Sequence, residues 1–188
     1  METAAHTLPA PAVEAEIEPE RASFEELVHR HGAALYRMAF RLTGNEADAE
    51  DLAQDAVIEA LRAFPRFQPG TRFDRWVYRI MSHTFIDRVR RGRRHPVVSL
   101  DAPDQPPLPA AEPSPEEQAL RTERQAMLRE ALAILPAEFR LAVILVDLEG
   151  LSYEEAAAAM HCAVGTVRSR LHRGRLLLRE RLAEVLPR

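Results

Sequence analysis

Lysine is absent from this 188-residue chain, so every one of its 25 basic side chains is arginine. So uniform a preference, beside abundant alanine, reflects the composition of the coding sequence, and arginine number alone carries no functional weight. Cysteine is almost missing as well. Cys162 is the single thiol, which excludes an internal disulfide and any cysteine-rich metal site. Its expected role is that of a small buried apolar residue in a turn, within a reducing cytoplasm. Long apolar runs are lacking: the longest, residues 141–146, falls far short of the roughly 20 residues a membrane-spanning helix needs. No basic start followed by an apolar stretch suggests a signal peptide. The expectation is a cytoplasmic protein without membrane insertion, cofactor or metal. An excess of positive charge is lacking too, since the net charge is −4 and the pI about 6.0. Taken as a sum, that argues against a nucleic-acid binder.

The distribution of charge reverses that argument. Residues 1–20 hold five acids and no arginine, whereas residues 21–94 hold fourteen arginines against ten acids. Residues 95–115 again hold only acids, three of them, and residues 116–188 hold eleven of each sign. Basic character is therefore local and flanked by acidic segments, so such a chain binds free duplex weakly and needs help from a partner.

Periodicity predicts only helices. Residues 1–20, rich in Ala, Pro and Glu, read as a disordered extension. From Ser23, apolar residues recur at threes and fours through Leu42, until Thr43-Gly44-Asn45 breaks the pattern. A second helix is predicted over about 46–64 and a third over about 73–91. Residues 95–115 contain seven of the 14 prolines and no helical period, which marks a linker. In polyproline form its 21 residues reach roughly 65 Å, at about 3.1 Å each, close to two turns of duplex at about 34 Å each. Helices follow over about 116–133 and 137–148. The predicted fold is all-α: two small helical domains, 21–95 and 116–188, joined by a Pro-rich acidic linker at 96–115.

The most informative stretch lies near the C-terminus. Ser152 with Glu155 forms a capping box that starts a helix; Ala156 to Ala159 allow close backbone approach; His161-Cys162-Ala163 is a turn; Thr166 opens a second helix. Val164, Val167, Leu171, Leu178 and Leu182 form its apolar stripe, and Arg168, Ser169, His172 and Arg173 lie opposite. Six arginines face a single acid, Glu180, between Gly165 and Arg181. A short helix packed on a longer arginine-rich one is a helix-turn-helix, whose second helix reads base edges in the major groove. An ordinary hairpin with a solvated basic face has the same pattern.

The segment from Gly165-Thr166-Val167-Arg168 through Ser169-Arg170-Leu171-His172-Arg173 resembles the last helix of bacterial RNA polymerase sigma factors, in particular the small extracytoplasmic-function (ECF) class. The upstream half carries matching signatures. Asp48-Ala49-Glu50-Asp51-Leu52-Ala53-Gln54-Asp55-Ala56 resembles the helix with which that family docks on the clamp helices of the largest polymerase subunit. Asp48, Asp51, Gln54 and Asp55 fall along one flank, although Val57 stands where the family usually has Phe. From Phe73 through Trp76-Val77-Tyr78 to Asp87-Arg88 the chain resembles the promoter-melting segment. Six of the eleven aromatics fall within residues 64–85, alternating with arginines, a pattern suited to stacking unpaired bases and tracking phosphates. Trp76 and Ile80, one turn apart, also read as core.

The resemblance implies that Arg66, Phe67, Arg72 and Phe73 surround a flipped-out minus-ten base. His83 stands where the class often has Asn; a base edge and Asp87, four residues on, are its alternative partners. Arg88 and Arg91, with Arg90, Arg93 and Arg94, imply contact with the DNA backbone. Thr166, Arg168, Ser169, His172 and Arg173 imply readout of the minus-thirty-five element. The implied partners are core RNA polymerase (clamp helices and the flap of the second-largest subunit), promoter DNA and an anti-sigma factor. Two rival readings use the same features: a sigma mimic that occupies a partner without binding DNA, and a stand-alone helix-turn-helix regulator. An enzyme fits worst, because His29 with His31 and His161 with Cys162 lack a third ligand or an orienting acid.

Overall fold

A computed structural model describes residues 17–68, 71–92 and 115–185. Most of the N-terminal extension, the linker, Arg93 and Arg94 lie outside these described residues. Helix α1 spans Ile17–Thr43, α2 Glu46–Ala63 and α3 Phe73–Gly92. Then come α4 (Pro115–Ala133), α5 (Ala137–Val143), α6 (Tyr153–Met160) and α7 (Val164–Val185). No strand occurs among the described residues. Helix α1 starts earlier than its apolar period, so residues 17–20 are helical where a disordered extension was expected. Pro19 fits there because the first turn has no use for its missing N–H.

The first three helices form a bundle. On α2, Ala49, Leu52, Ala56 and Ala60 are fully buried at spacings of three and four, and the small side chains bring α1 and α3 close. Leu35, Met38 and Leu42 of α1 and Val77 and Met81 of α3 fill the space between. The α1–α2 break is built as its residues dictate. Gly44 takes a left-handed φ of 84°, and Asn45 caps α2, its Oδ1 accepting from the Asp48 N–H at 2.9 Å.

The last four helices form a second bundle around Leu132, Leu135, Leu141, Ile144, Leu145, Val167 and Leu171. Helix α5 continues as a π-helical turn over Ile144–Leu148, where the Glu149 N–H reaches the Ile144 carbonyl at 2.9 Å. This widened turn leads into Glu149, which is turned toward the first bundle, and into the exposed Gly150. The capping box at α6 forms as expected: the Glu155 N–H donates to Ser152 Oγ at 3.1 Å, and the Ser152 N–H to Glu155 Oε2 at 2.8 Å. His161 ends α6 in the left-handed region (φ 48°), a conformation unusual for a residue with a Cβ. Helix α7 begins two residues before the predicted Thr166. Gly174 is where α7 crosses α5: a Cβ there would lie 2.7 Å from Val143 Cγ2 and 3.3 Å from the Phe139 carbonyl.

The two bundles pack directly against one another, chiefly α6 on α3 with α4 and α5 against α1. Arg41 pairs with Glu149 at 2.7 Å, and this carboxylate also accepts from the Tyr78 hydroxyl. Burial and the Glu149 charge together push the Tyr78 pKa well above its ordinary value. Arg140 Nη1 donates to the Leu42 carbonyl at 2.6 Å, and its Nη2 to the Ala133 and Leu135 carbonyls. Burial lowers the pKa of this guanidinium, which is satisfied at those points by carbonyl oxygens. Arg75 pairs with Glu155 and donates to the Gly150 carbonyl at 3.1 Å. In this form the chain is two modules joined face to face.

Candidate nucleic-acid interface

Three surfaces collect the residues singled out in the sequence. The first is the outer face of α7. Arg168, Ser169, His172 and Arg173 are exposed and Thr166 half-buried, with Val167 and Leu171 buried on the opposite side. Ser169 Oγ donates to the Thr166 carbonyl at 2.9 Å, and the Arg168 guanidinium lies 5.4 Å from the Tyr153 ring centre. The six arginines of this helix do not all point outward. Arg170 is tied to Glu138 at 2.7 Å, and Arg175 to both oxygens of Asp147 at 2.5 and 3.0 Å. The Asp147 hydrogen bond raises the Arg175 pKa. These two hold α7 on α5 and leave Arg168 and Arg173 to face outward. Sequence spacing had put Arg168 and Arg173 on the outer face, but it gave Arg170 and Arg175 no partners.

The second surface is the flank of α2, where Asp48, Asp51, Gln54 and Asp55 are all exposed. They are not equally available. Asp48 Oδ2 accepts from Asn45 at 2.7 Å as part of the helix start. Arg88 reaches over from α3 to pair with the Asp55 carboxylate and to donate to the Asp51 carbonyl at 2.9 Å. Arg88, expected on DNA phosphate, therefore rests on the acidic flank. Ile58 and Leu61, 41% and 45% exposed, extend this flank with apolar surface. Burial on α2 goes to Leu52 and the alanines.

The third surface is a cleft of about 420 Å³ between α3 and α6. Arg66, Phe67, Arg72, Arg75, Trp76 and Arg79 line it from the N-terminal module, and Leu151, Glu155 and Ala158 close it from the other side. Phe67 is half-buried, with its ring centre 5.0 Å from that of Trp76, whereas Arg66 is exposed. Arg72 is paired with Asp74 at 2.5 Å. Burial alone would raise the Asp74 pKa; hydrogen bonds from Arg72 and the Arg75 N–H, with the nearby charges, hold it below its ordinary value. Phe73 departs from its expected role. Its ring is 3% exposed, packed edge-on against Phe24 and Phe67 and beside Trp76, so it has no open face for a base. It forms the floor under Phe67. Trp76 and Ile80 are half-buried against the core.

Neither alternative partner of His83 is its closest neighbour. Its ring lies edge-on to His161 of the helix-turn-helix turn, with centres 3.8 Å apart. Asp87 instead has Arg90 at 3.9 Å, and Arg91, exposed, donates to the Asp87 carbonyl at 3.3 Å. The interface residues Arg41, Arg75, Arg140, Glu149 and Glu155 were not recognised as such from sequence. Their partners lie 75 to 108 residues away, beyond any local spacing rule. Among the described residues no group of three or more His, Cys, Asp or Glu is arranged to hold a metal, and no helix is long and apolar enough to cross a membrane.

This geometry has counterparts among known proteins. Residues 27–95 match the family model for sigma-70 region 2, and residues 125–178 that for sigma-70 region 4. The chain is 47% identical over 162 residues to the ECF RNA polymerase sigma factor SigE of Mycolicibacterium smegmatis, covering 86% of this chain and 62% of that protein. It is 36% identical to the RNA polymerase sigma-H factor of Pseudomonas aeruginosa, covering 89% of this chain and 90% of the relative. Its fold matches that of the sigma factor RpoE from Bartonella quintana, solved in complex with the anti-sigma factor NepR. That match has a TM-score of 0.65 at 30% identity and covers 86% of this chain and 97% of the other. With two region matches in order and relatives aligned along most of its length, the chain belongs to the ECF class of the sigma-70 family of RNA polymerase sigma factors.

Proposed function

We propose that this chain binds core RNA polymerase in the cytoplasm and directs it to a specific set of promoters, acting as a binding factor and not as an enzyme. The observation that carries this reading is the outer face of α7. Arg168, Ser169, His172 and Arg173 are presented outward by a helix that Arg170 and Arg175 brace from behind. In the proposed complex this face and Thr166 enter the major groove of the minus-thirty-five element. The exposed flank of α2, with Asp48, Asp51, Gln54 and Asp55, docks on the clamp helices, while the module at 116–188 meets the flap. Arg66, Phe67, Arg72 and Trp76 receive the flipped minus-ten base, with Phe73 supporting the pocket from below. Arg88 and Arg91 follow the backbone once Arg88 leaves Asp55. Base capture stabilises the melted state, and no ATP is needed.

Helix α6 closes that same cleft in the packed form, so the modules at 21–95 and 116–188 separate before both promoter elements are engaged. The linker at 96–115 supplies the span. An anti-sigma factor is a natural partner for such a two-module surface. The sigma-mimic reading is the weaker one, because a mimic has no use for an outward polar face on α7. The test is run-off transcription on genomic DNA with purified core polymerase. Discrete start sites that appear only with this protein support the proposal. Association with polymerase but no directed initiation would favour the mimic.

A further inference from the structure

The joint between α3 and α6 contains an imidazole pair. His83 is half-buried on α3; His161 sits on the turn after α6, its left-handed backbone fixing the ring against His83 at a centre separation of 3.8 Å. That is nearer than the roughly 4.5–7 Å usual for aromatic pairs. His83 Nε2 is buried there without a hydrogen-bond partner, as suits an unprotonated ring nitrogen turned to an apolar joint. A proton on this ring has only the Ala159 backbone to draw on for a hydrogen bond and stands beside the His161 ring in a half-buried joint.

We infer that the His83–His161 contact is a proton-sensitive latch between the two modules, which keeps them packed while the His83 ring is neutral and releases them when that ring takes up a proton. The surrounding charges decide the sign. From α3 itself, Arg79 opposes a proton on His83 and Asp87 favours one; from the α6 turn, His161 opposes it. Across a groove from His83 lie Asp55 and Glu59 of α2, with Arg91 of α3 on its rim. Both α2 acids are already engaged, Asp55 by Arg88 and Glu59 by Arg62 at 2.5 Å, and Asp87 has Arg90 nearby. On the His161 side a shallow recess holds Arg79 and Cys162, with no acid on its lining. Burial first, then His161 and Arg79, hold the His83 pKa below its ordinary value, against the opposing pull of the Ala159 backbone and Asp87.

A group whose pKa is depressed in the closed form binds its proton more readily in the open one. The closed form thus keeps its full advantage above about pH 6.5, the ordinary imidazole value, and loses it progressively as the pH falls further. This inference rests on the reading that the modules separate in function. It is measured without polymerase or DNA, so its failure leaves run-off transcription to judge that reading separately.

The experiment follows the distance between dyes on Glu25→Cys and Glu180→Cys, in a Cys162→Ser background of the full chain. Single-molecule energy transfer is recorded at nanomolar concentration from pH 7.5 to 5.5, with far-UV circular dichroism alongside. The expected result is a rise of about threefold or more in the open-to-closed ratio at constant helicity. In His83→Asn and His161→Asn that rise shrinks or disappears, and in His161→Arg, which carries a fixed charge at an exposed position, the open form is enriched already at pH 7.5. An invariant distance in the parent chain overturns the inference. So does a rise in both Asn variants as large as the parent's, or a response that coincides with loss of helicity.

Discussion

The arginines of α7 and those of α3 meet opposite fates. On α7, Arg170 and Arg175 are spent on acids of α5, and the row at Arg168 and Arg173 is left facing outward. On α3 and the turn before it, Arg72, Arg75 and Arg88 all have carboxylate partners, and Arg75 takes its partner from the other module. The same residue type thus leaves one surface open to solvent and holds the other shut. What separates them is the acid each can reach, and for Arg75 that acid exists only because the modules touch. In the proposed function, recognition of the duplex element belongs to one module alone, whereas access to the melted element depends on where the second module sits.

The comparison can be broken most forcefully at the acidic flank that Arg88 covers. Reversing Asp51 and Asp55 to Arg places like charges beside Arg88 and removes the docking acids. Core polymerase captured in a pull-down should fall at least about tenfold, since buried charge pairs at interfaces contribute several kcal/mol; undiminished capture would remove α2 from the docking surface. Next is Gly174→Ala. Its Cβ meets the stiff, buried Val143 and the Phe139 carbonyl, so α7 must lift from α5 at a cost of about 1–3 kcal/mol. Urea unfolding should show that loss, and unchanged stability would mean that α5 gives way freely.

Arg173→Ala sharpens the contrast from the α7 side. Holoenzyme affinity for the minus-thirty-five duplex should fall by about 1–3 kcal/mol, with little effect on a single-stranded minus-ten strand; equal losses on both would contradict the division between modules. The smallest expected effect is that of Glu155→Gln. Glutamine still accepts from the Ser152 N–H, so α6 keeps its capping box while Arg75 loses its ionic partner. The closed form should weaken by about 1 kcal/mol, the scale of a part-exposed pair. Trp76, the single tryptophan, lines the cleft, and its emission should shift to the red. An unshifted spectrum would mean that Glu155 does not hold the cleft closed.

Much of this fold was legible because its helix ends are written in local chemistry. Ser152 with Glu155, Gly44 with Asn45, and Pro136 before α5 each act within four residues. The π-helical turn was not legible, because the apolar run at 141–145 is buried, with Val146 half-buried, whichever way it winds. The helix-turn-helix face was legible in outline, since helical spacing alone puts Arg168, Ser169, His172 and Arg173 on one side. Which arginines on α7 are braces depended on Glu138 and Asp147, which arrive from 32 and 28 residues away. Phe73 was misplaced because stacking on a base and packing in a core ask the same things of a ring. His83 met a partner 78 residues on, through a joint no local pattern describes.

The account stands most directly on whether the modules part when polymerase binds. With dyes on Glu25→Cys and Glu180→Cys in the Cys162→Ser background, adding core polymerase at pH 7.5 should convert the closed population to one long, uniform distance, which promoter DNA then leaves unchanged. A short distance that persists in a polymerase complex able to initiate at a promoter would contradict the claim that α6 must leave the α3 cleft.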